Sequence, residues 1–216
     1  MTEQNFEQMR RAMIASQLRT TGTNDPRVLA AMGEVARERF VPADRAALAY
    51  ADAVVALKPG RDLNSPMALG RLLTEASPRP QDRALVVGAA TGYAAAVLAR
   101  LVASVVAVEE DADLAAAARE SLAGTGVRLV EGPLAKGAAD GAPYDLVLID
   151  GAVELVPDAI VAQLEEKGRL ATALLEQGVT RLAIGRRAGD GFGLAPFADA
   201  AAAILPGFAR PRAFTF

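Results

Sequence analysis

The sequence predicts an α/β fold: a doubly wound, mostly parallel sheet with a helical and loop portion before it and antiparallel edge strands after it. Three observations predict this. From residue 83 onward, apolar runs of strand length alternate with helical stretches, the pattern of βαβ units. The first of those runs ends in a turn of small residues, Gly88-Ala89-Ala90-Thr91-Gly92, which opens a helix as a nucleotide-binding half-unit does. After Gly168 the pattern changes to short runs punctuated by glycine, which suits antiparallel strands.

The elements follow in order. Phe6, Met9, Met13, Ile14, Gln17 and Leu18 recur at helical spacing, and Gly22 ends that helix. Asp25-Pro26 supplies a cap and a first helical residue for a second helix through Met32. Residues 39–65 lack periodicity, are broken by Pro42, Pro59 and Gly60, and read as strands and loops. Pro66 opens a helix to about Glu75, with Ser65 as its cap, and Pro78 and Pro80 close it. Strands are expected at 83–87, 104–108, 127–130 and 144–149, with helices near 92–101, 112–123 and 157–165. Short runs follow at 169–174, 180–185 and 212–216, and Gly189, Gly191 and Gly193 mark a hairpin.

A chain of 216 residues is expected to form one domain, with helices and a loop in 1–80 and the ligand-binding sheet in 81–216. Net charge is −3, which carries no electrostatic footprint for nucleic acid or an anionic membrane. The polar amino terminus lacks a signal-peptide core, and the longest apolar stretch is interrupted by Arg100. A soluble, cytoplasmic protein is expected. With no cysteine and no histidine, disulfides, thiolate nucleophiles, catalytic triads, imidazole bases and thiolate or imidazole metal sites are excluded. Chemistry must then come from carboxylates, lysines, hydroxyls, backbone groups or a cofactor.

The spacing inside the turn narrows the ligand. A dinucleotide fingerprint has glycine at the first, third and sixth positions, here Gly88, Ala90 and Tyr93, so two of three fail and a nicotinamide dehydrogenase is disfavoured. Gly-x-small-x-Gly, with the second glycine at Gly92, resembles the turn of S-adenosylmethionine-dependent methyltransferases. Tight helix packing alone is the competing explanation. Glu109 follows Gly88 by 21 positions, at the carboxyl end of Val105-Val106-Ala107-Val108. There it can accept both ribose hydroxyls; the alternative is a solvated strand-end acid beside Glu110 and Asp111. Ala90 adds a methyl where the backbone approaches closest, tolerable at negative φ but costing about 1 kcal/mol or more if φ is positive.

Several segments together resemble the protein-L-isoaspartate O-methyltransferase family. Asp25-Pro26-Arg27-Val28-Leu29-Ala30-Ala31-Met32 and Val35-Ala36-Arg37-Glu38-Arg39-Phe40-Val41-Pro42 match its D-x-x-V-L-x-A-M and V-P-R-E-x-F-V-P patterns. Ala49-Tyr50-Ala51-Asp52 matches its A-Y-x-D, and Tyr144 to Val147, Val156-Pro157, Gln163-Leu164 and Gly168 to Leu170 fall at its fourth strand and beyond. The resemblance covers about residues 9–185. It implies a Rossmann-like class I methyltransferase fold, S-adenosylmethionine as cofactor, and isoaspartyl-containing proteins or peptides as partners, with no nucleic acid and no membrane. It also implies a cofactor rim of Gly88, Ala90, Gly92, Tyr93, Glu109 and Asp150, and a substrate loop carrying Asp62 and Asn64.

The departures lie in that loop and that rim. The family loop G-Q-T-I-S-Q-P is here Gly60-Arg61-Asp62-Leu63-Asn64-Ser65-Pro66, so two hydroxyl positions hold a carboxylate and an amide. Its G-D-G falls on Gly132-Pro133-Leu134, and Pro133 offers neither an acceptor side chain nor an N–H. Asp62 and Asp150 beside a carboxylate substrate would repel it, by about 4 kcal/mol for one contact at roughly 4 Å and an effective dielectric near 20. Lys58 and Arg61 are expected on a solvated loop face. Leu205 to Phe208 and Phe214 to Phe216 are expected to pack at the sheet edge. The leading reading is carboxyl methylation of isoaspartyl residues. The alternatives are a catalytically degenerate binding or scaffold protein, and a methyltransferase for another acceptor.

Overall fold

The computed structural model describes residues 5–189 and 191–210. The strands expected from residue 83 form a seven-stranded sheet. Its members are β3 (Arg83–Val87), β4 (Ser104–Glu109), β5 (Arg128–Glu131), β6 (Tyr144–Val153), β7 (Leu164–Glu176), β8 (Val179–Ala188) and β9 (Gly191–Asp199), in the order β5-β4-β3-β6-β7-β8-β9. The pairs from β5 through β7 are parallel, and β7-β8-β9 are antiparallel. The α/β doubly wound architecture with antiparallel carboxyl-terminal strands is therefore present. Along β3 the pleat sends Ala84 and Val86 to one hydrophobic cluster and Leu85 and Val87 to the other, because successive side chains point to opposite faces. Helices α4 (Tyr93–Leu98) and α5 (Ala112–Ser121) follow β3 and β4.

The amino-terminal portion packs on the larger cluster. It comprises α1 (Phe6–Ala12), α2 (Pro26–Glu34), the hairpin of β1 (Val55–Lys58) and β2 (Arg61–Leu63), and α3 (Pro66–Ala76). Asp25 caps α2 by accepting from the Arg27 N–H, and Ser65 caps α3 by accepting from the Ala68 N–H, as the Asx-Pro and Ser-Pro pairs predict. The first helix is not regular to residue 20. It becomes a π turn at Met13–Leu18 and a 3-10 turn at Arg19–Thr21. There the Thr20 and Thr21 hydroxyls donate to the carbonyls of Ser16, Gln17 and Leu18 and compete with the helical ladder.

Two further expectations change. The helix expected at 157–165 is only α6 (Asp158–Val161). Gln163 stops it, because its side chain accepts from the Ala138 N–H and donates to the Lys136 and Ala159 carbonyls while the backbone turns into β7. Residues 39–65 contain 3-10 turns as well as strands, at Arg37–Phe40 and Ala43–Leu48. The run expected at 212–216 lies outside the described residues. Strand β9 was legible only as a hairpin, and its Pro196 is compatible with an edge strand.

Arg169 ties the two portions together. It is buried, donates to the Ala76 and Ser77 carbonyls at the end of α3, and pairs with buried Asp82 at 2.5 Å. Among the described residues, no helix is long and apolar enough to cross a membrane.

Candidate functional site

The sheet order reverses beside β3: the chain runs outward through β4 and β5, then returns to place β6 on β3's other edge. Ligands of open α/β sheets bind at the carboxyl ends of the strands flanking such a switch point. Gly88 to Gly92, Glu109 and Asp150 stand at those ends. Gly88 and Gly92 take φ +79° and +100°, which favours glycine, and Ala90 takes +51°. Ala90 therefore occupies the strained branch of the alternatives. Its N–H donates to Glu109 Oε2 at 2.7 Å.

Glu109 is fully buried, so the solvated strand-end alternative does not hold. Its partner is Arg61, whose guanidinium meets both carboxylate oxygens, at 2.5 and 2.6 Å. The N–H groups of Ala90, Glu110 and Asp111 also donate to it, giving five donors on two oxygens. A carboxylate offers roughly four lone-pair positions. Glu109 is saturated. The expectation of a solvated Arg61 is thus corrected: alternation along β2 turns Arg61 and Leu63 inward together. Lys58 also has partners, bonding Asp111 and Asp113.

The same alternation leaves Asp62 on the hairpin's other face. It lines a cavity of about 540 Å³ with Pro42, Asp44, Arg45 and Lys58, away from Asp150. Of the two acids expected beside the substrate, Asp150 is thus at the rim and Asp62 is on the hairpin's opposite face. Asn64 does reach the rim. Its amide nitrogen donates to Asp150 Oδ1 at 2.7 Å, and its amide oxygen accepts from the Ala203 N–H at 2.7 Å. Asp150 sits where the β6–β7 register shifts, between Leu148 and Ala152, an irregularity that re-aims side chains. Burial pushes its carboxyl above the ordinary range, opposed by the Asn64 bond and by the Arg37 and Arg61 charges.

Arg37, which sequence reasoning did not single out, is fully buried at the back of the site. It donates to the Ala49 and Asn64 carbonyls and lies 4.6 Å over the Tyr93 ring, which also packs edge-on against Phe40. Thr91 donates to the Phe40 carbonyl. The 35–52 segment thus cradles the glycine turn. The Tyr93 hydroxyl is buried with no hydrogen-bond partner among the described residues.

Leu205 was expected at the sheet edge and instead covers the turn. A Cβ on Gly88 would meet Leu205 Cδ1 at 2.8 Å, and one on Gly151 would meet Leu205 Cβ at 2.8 Å. The segment is held there by Ala152 N–H to the Ala203 carbonyl and by Leu205 N–H to the Ala152 carbonyl. The matching expectation for Phe214 to Phe216 lies outside the described residues.

Against known proteins, residues 8–192 match the family model for protein-L-isoaspartate(D-aspartate) O-methyltransferase. The chain belongs to that family. It is 44% identical over 163 residues to the protein-L-isoaspartate O-methyltransferase of Methylorubrum populi, covering 74% of this chain and 77% of that one. Among solved structures, a protein-L-isoaspartate O-methyltransferase superposes with a TM-score of 0.79 at 21% identity. The likeness spans 92% of this chain and 66% of the other, just under two thirds of its length. A Plasmodium falciparum protein described as a candidate member of the family, solved with S-adenosyl-L-homocysteine, gives 0.77 at 18% identity. It covers 94% of this chain and 99% of that one. The resemblance read from residues 25–52 and the methyltransferase-type sheet are both borne out.

Proposed function

We propose that this chain is an S-adenosylmethionine-dependent protein-L-isoaspartate O-methyltransferase, transferring a methyl group to the free carboxylate of isomerised aspartyl residues in proteins and peptides. The family match across residues 8–192 carries this reading. The glycine turn and Glu109 at the sheet's switch point support it, since that is where such sheets take nucleotide-like ligands. In this reading Gly88, Ala90, Gly92, Tyr93, Glu109 and Asp150 form the cofactor side, and the loop that carries Asn64 at the rim and Asp62 on the hairpin's outer face forms the peptide side. The whole chain acts as one domain in cytoplasmic protein repair.

The residues as arranged do not fit that cofactor. Glu109 has no lone pair left for a ribose hydroxyl, and Leu205 fills the space in front of Gly88 and Gly151. This misfit favours a second reading, a family member that binds partners without methylating them.

Titration calorimetry with S-adenosylmethionine, followed by transfer of labelled methyl to an isoaspartyl peptide, separates the two. The first reading expects saturable binding and label in the peptide, with more label after Asp62→Thr and Asn64→Ser together. Cofactor binding without label in the peptide would sink the isoaspartyl substrate, and no binding at millimolar cofactor would sink the enzyme.

A further inference from the structure

We propose that Arg61 and Leu205 form an internal plug in the cofactor cleft, so that the cofactor enters only when strand β2 and the 203–205 segment release. The inference rests on the cofactor reading above and adds what controls its affinity. Arg61 occupies both oxygens of the one acid placed to receive a ribose, and it is held there by a strand rather than a free loop. Leu205 takes the room that two glycines leave open. Among the described residues, cavities of about 230 to 760 Å³ open elsewhere on the surface, lined by residues other than Gly88, Ala90, Gly92 and Glu109.

The two halves of the plug are connected. Asn64 directly follows β2, and its side chain holds the Ala203 N–H on one side and Asp150 on the other. Withdrawing β2 pulls on Asn64, which frees the end of the segment that carries Leu205. Lys58, bonded to Asp111 and Asp113, pins the far strand of the same hairpin to the same rim. Opening is therefore a concerted movement of the hairpin and the carboxyl-terminal segment.

A site that is open only a fraction of the time binds with its intrinsic affinity reduced by that fraction. A plug in place nine-tenths of the time weakens binding about tenfold. The test is calorimetric titration of S-adenosyl-L-homocysteine into the native chain, Arg61→Gln (the residue of the family loop) and Leu205→Ala, each shown folded by its unfolding transition. At least tenfold tighter binding in either variant is expected. Equal affinity in all three overturns the plug and leaves the cofactor reading standing. No binding by any folded variant overturns both.

Hydrogen exchange covers the case in which a variant does not fold. Saturating the native chain with S-adenosyl-L-homocysteine should reduce protection of the Ala203 and Leu205 amides at least tenfold. Binding with that protection unchanged overturns the plug.

Discussion

Asn64 donates its amide hydrogen to Asp150 at 2.7 Å, and both side chains are almost completely buried. Removing the donor leaves a buried carboxyl without its hydrogen bond and also releases the Ala203 N–H. Asn64→Ala should lower unfolding stability by about 2–3 kcal/mol. Chemical denaturation with an unchanged m-value checks it, and a loss below about 0.5 kcal/mol would mean that the bond is immaterial.

Asp150 supplies a pH signature. Burial raises its carboxyl above the unfolded value of about 3.9. Its favourable contribution is complete below the unfolded value and is lost as pH rises through the folded one. Asp150→Asn keeps an acceptor for Asn64 and cannot ionise. The melting temperature of the variant minus that of the native chain should therefore be larger at pH 8 than at pH 4; a difference flat in pH would contradict the raised carboxyl.

Ala90 holds φ at +51°. Glycine adopts that conformation freely, so Ala90→Gly should stabilise the chain by about 1 kcal/mol. For a chain of this size that is a gain of about 2–4 °C in melting temperature. A scanning calorimetry trace with no gain would show the strain to be relieved elsewhere.

Gly88 and Leu205 should behave non-additively. Gly88→Ala meets both a positive φ and the Leu205 side chain at 2.8 Å, whereas Leu205→Ala opens the space that the new methyl needs. In a double-mutant cycle the pair should cost less than the sum of the single changes, by about 0.5–3 kcal/mol. Strict additivity would separate Leu205 from the turn.

Arg169 provides a control away from the rim. Arg169→Met strands buried Asp82 and should cost about 3–5 kcal/mol. Its affinity for S-adenosyl-L-homocysteine should match the native chain's while it remains folded; a tenfold change would mean that the α3 anchor reaches the cleft.

The sheet was legible because strands buried on both faces, such as 83–87, leave long apolar runs, and Gly88 marks where the first one ends. The caps at Asp25 and Ser65 were legible for a local reason, a hydrogen-bonding side chain directly before proline. Arg61 was not, since a charged residue in a glycine-flanked loop ordinarily faces water. The available signal was the alternation of Arg61, Asp62 and Leu63, in which the inward leucine implies an inward arginine. Leu205 carried no periodic signal at all. Three hydrogen bonds around Ala203 and Ala152 place it, and those depend on tertiary geometry.

The contact between Asn64 and Ala203 spans 139 positions of chain. Synthesis at about 5–20 residues per second separates the appearance of these two residues by roughly 7–28 s. In the later part of that interval, once residue 109 has been added, the hairpin, the glycine turn and Glu109 already exist on the nascent chain, while Leu205 does not. Each new molecule therefore passes through a period in which Arg61 can reach the cleft and Leu205 is not yet there to cover it.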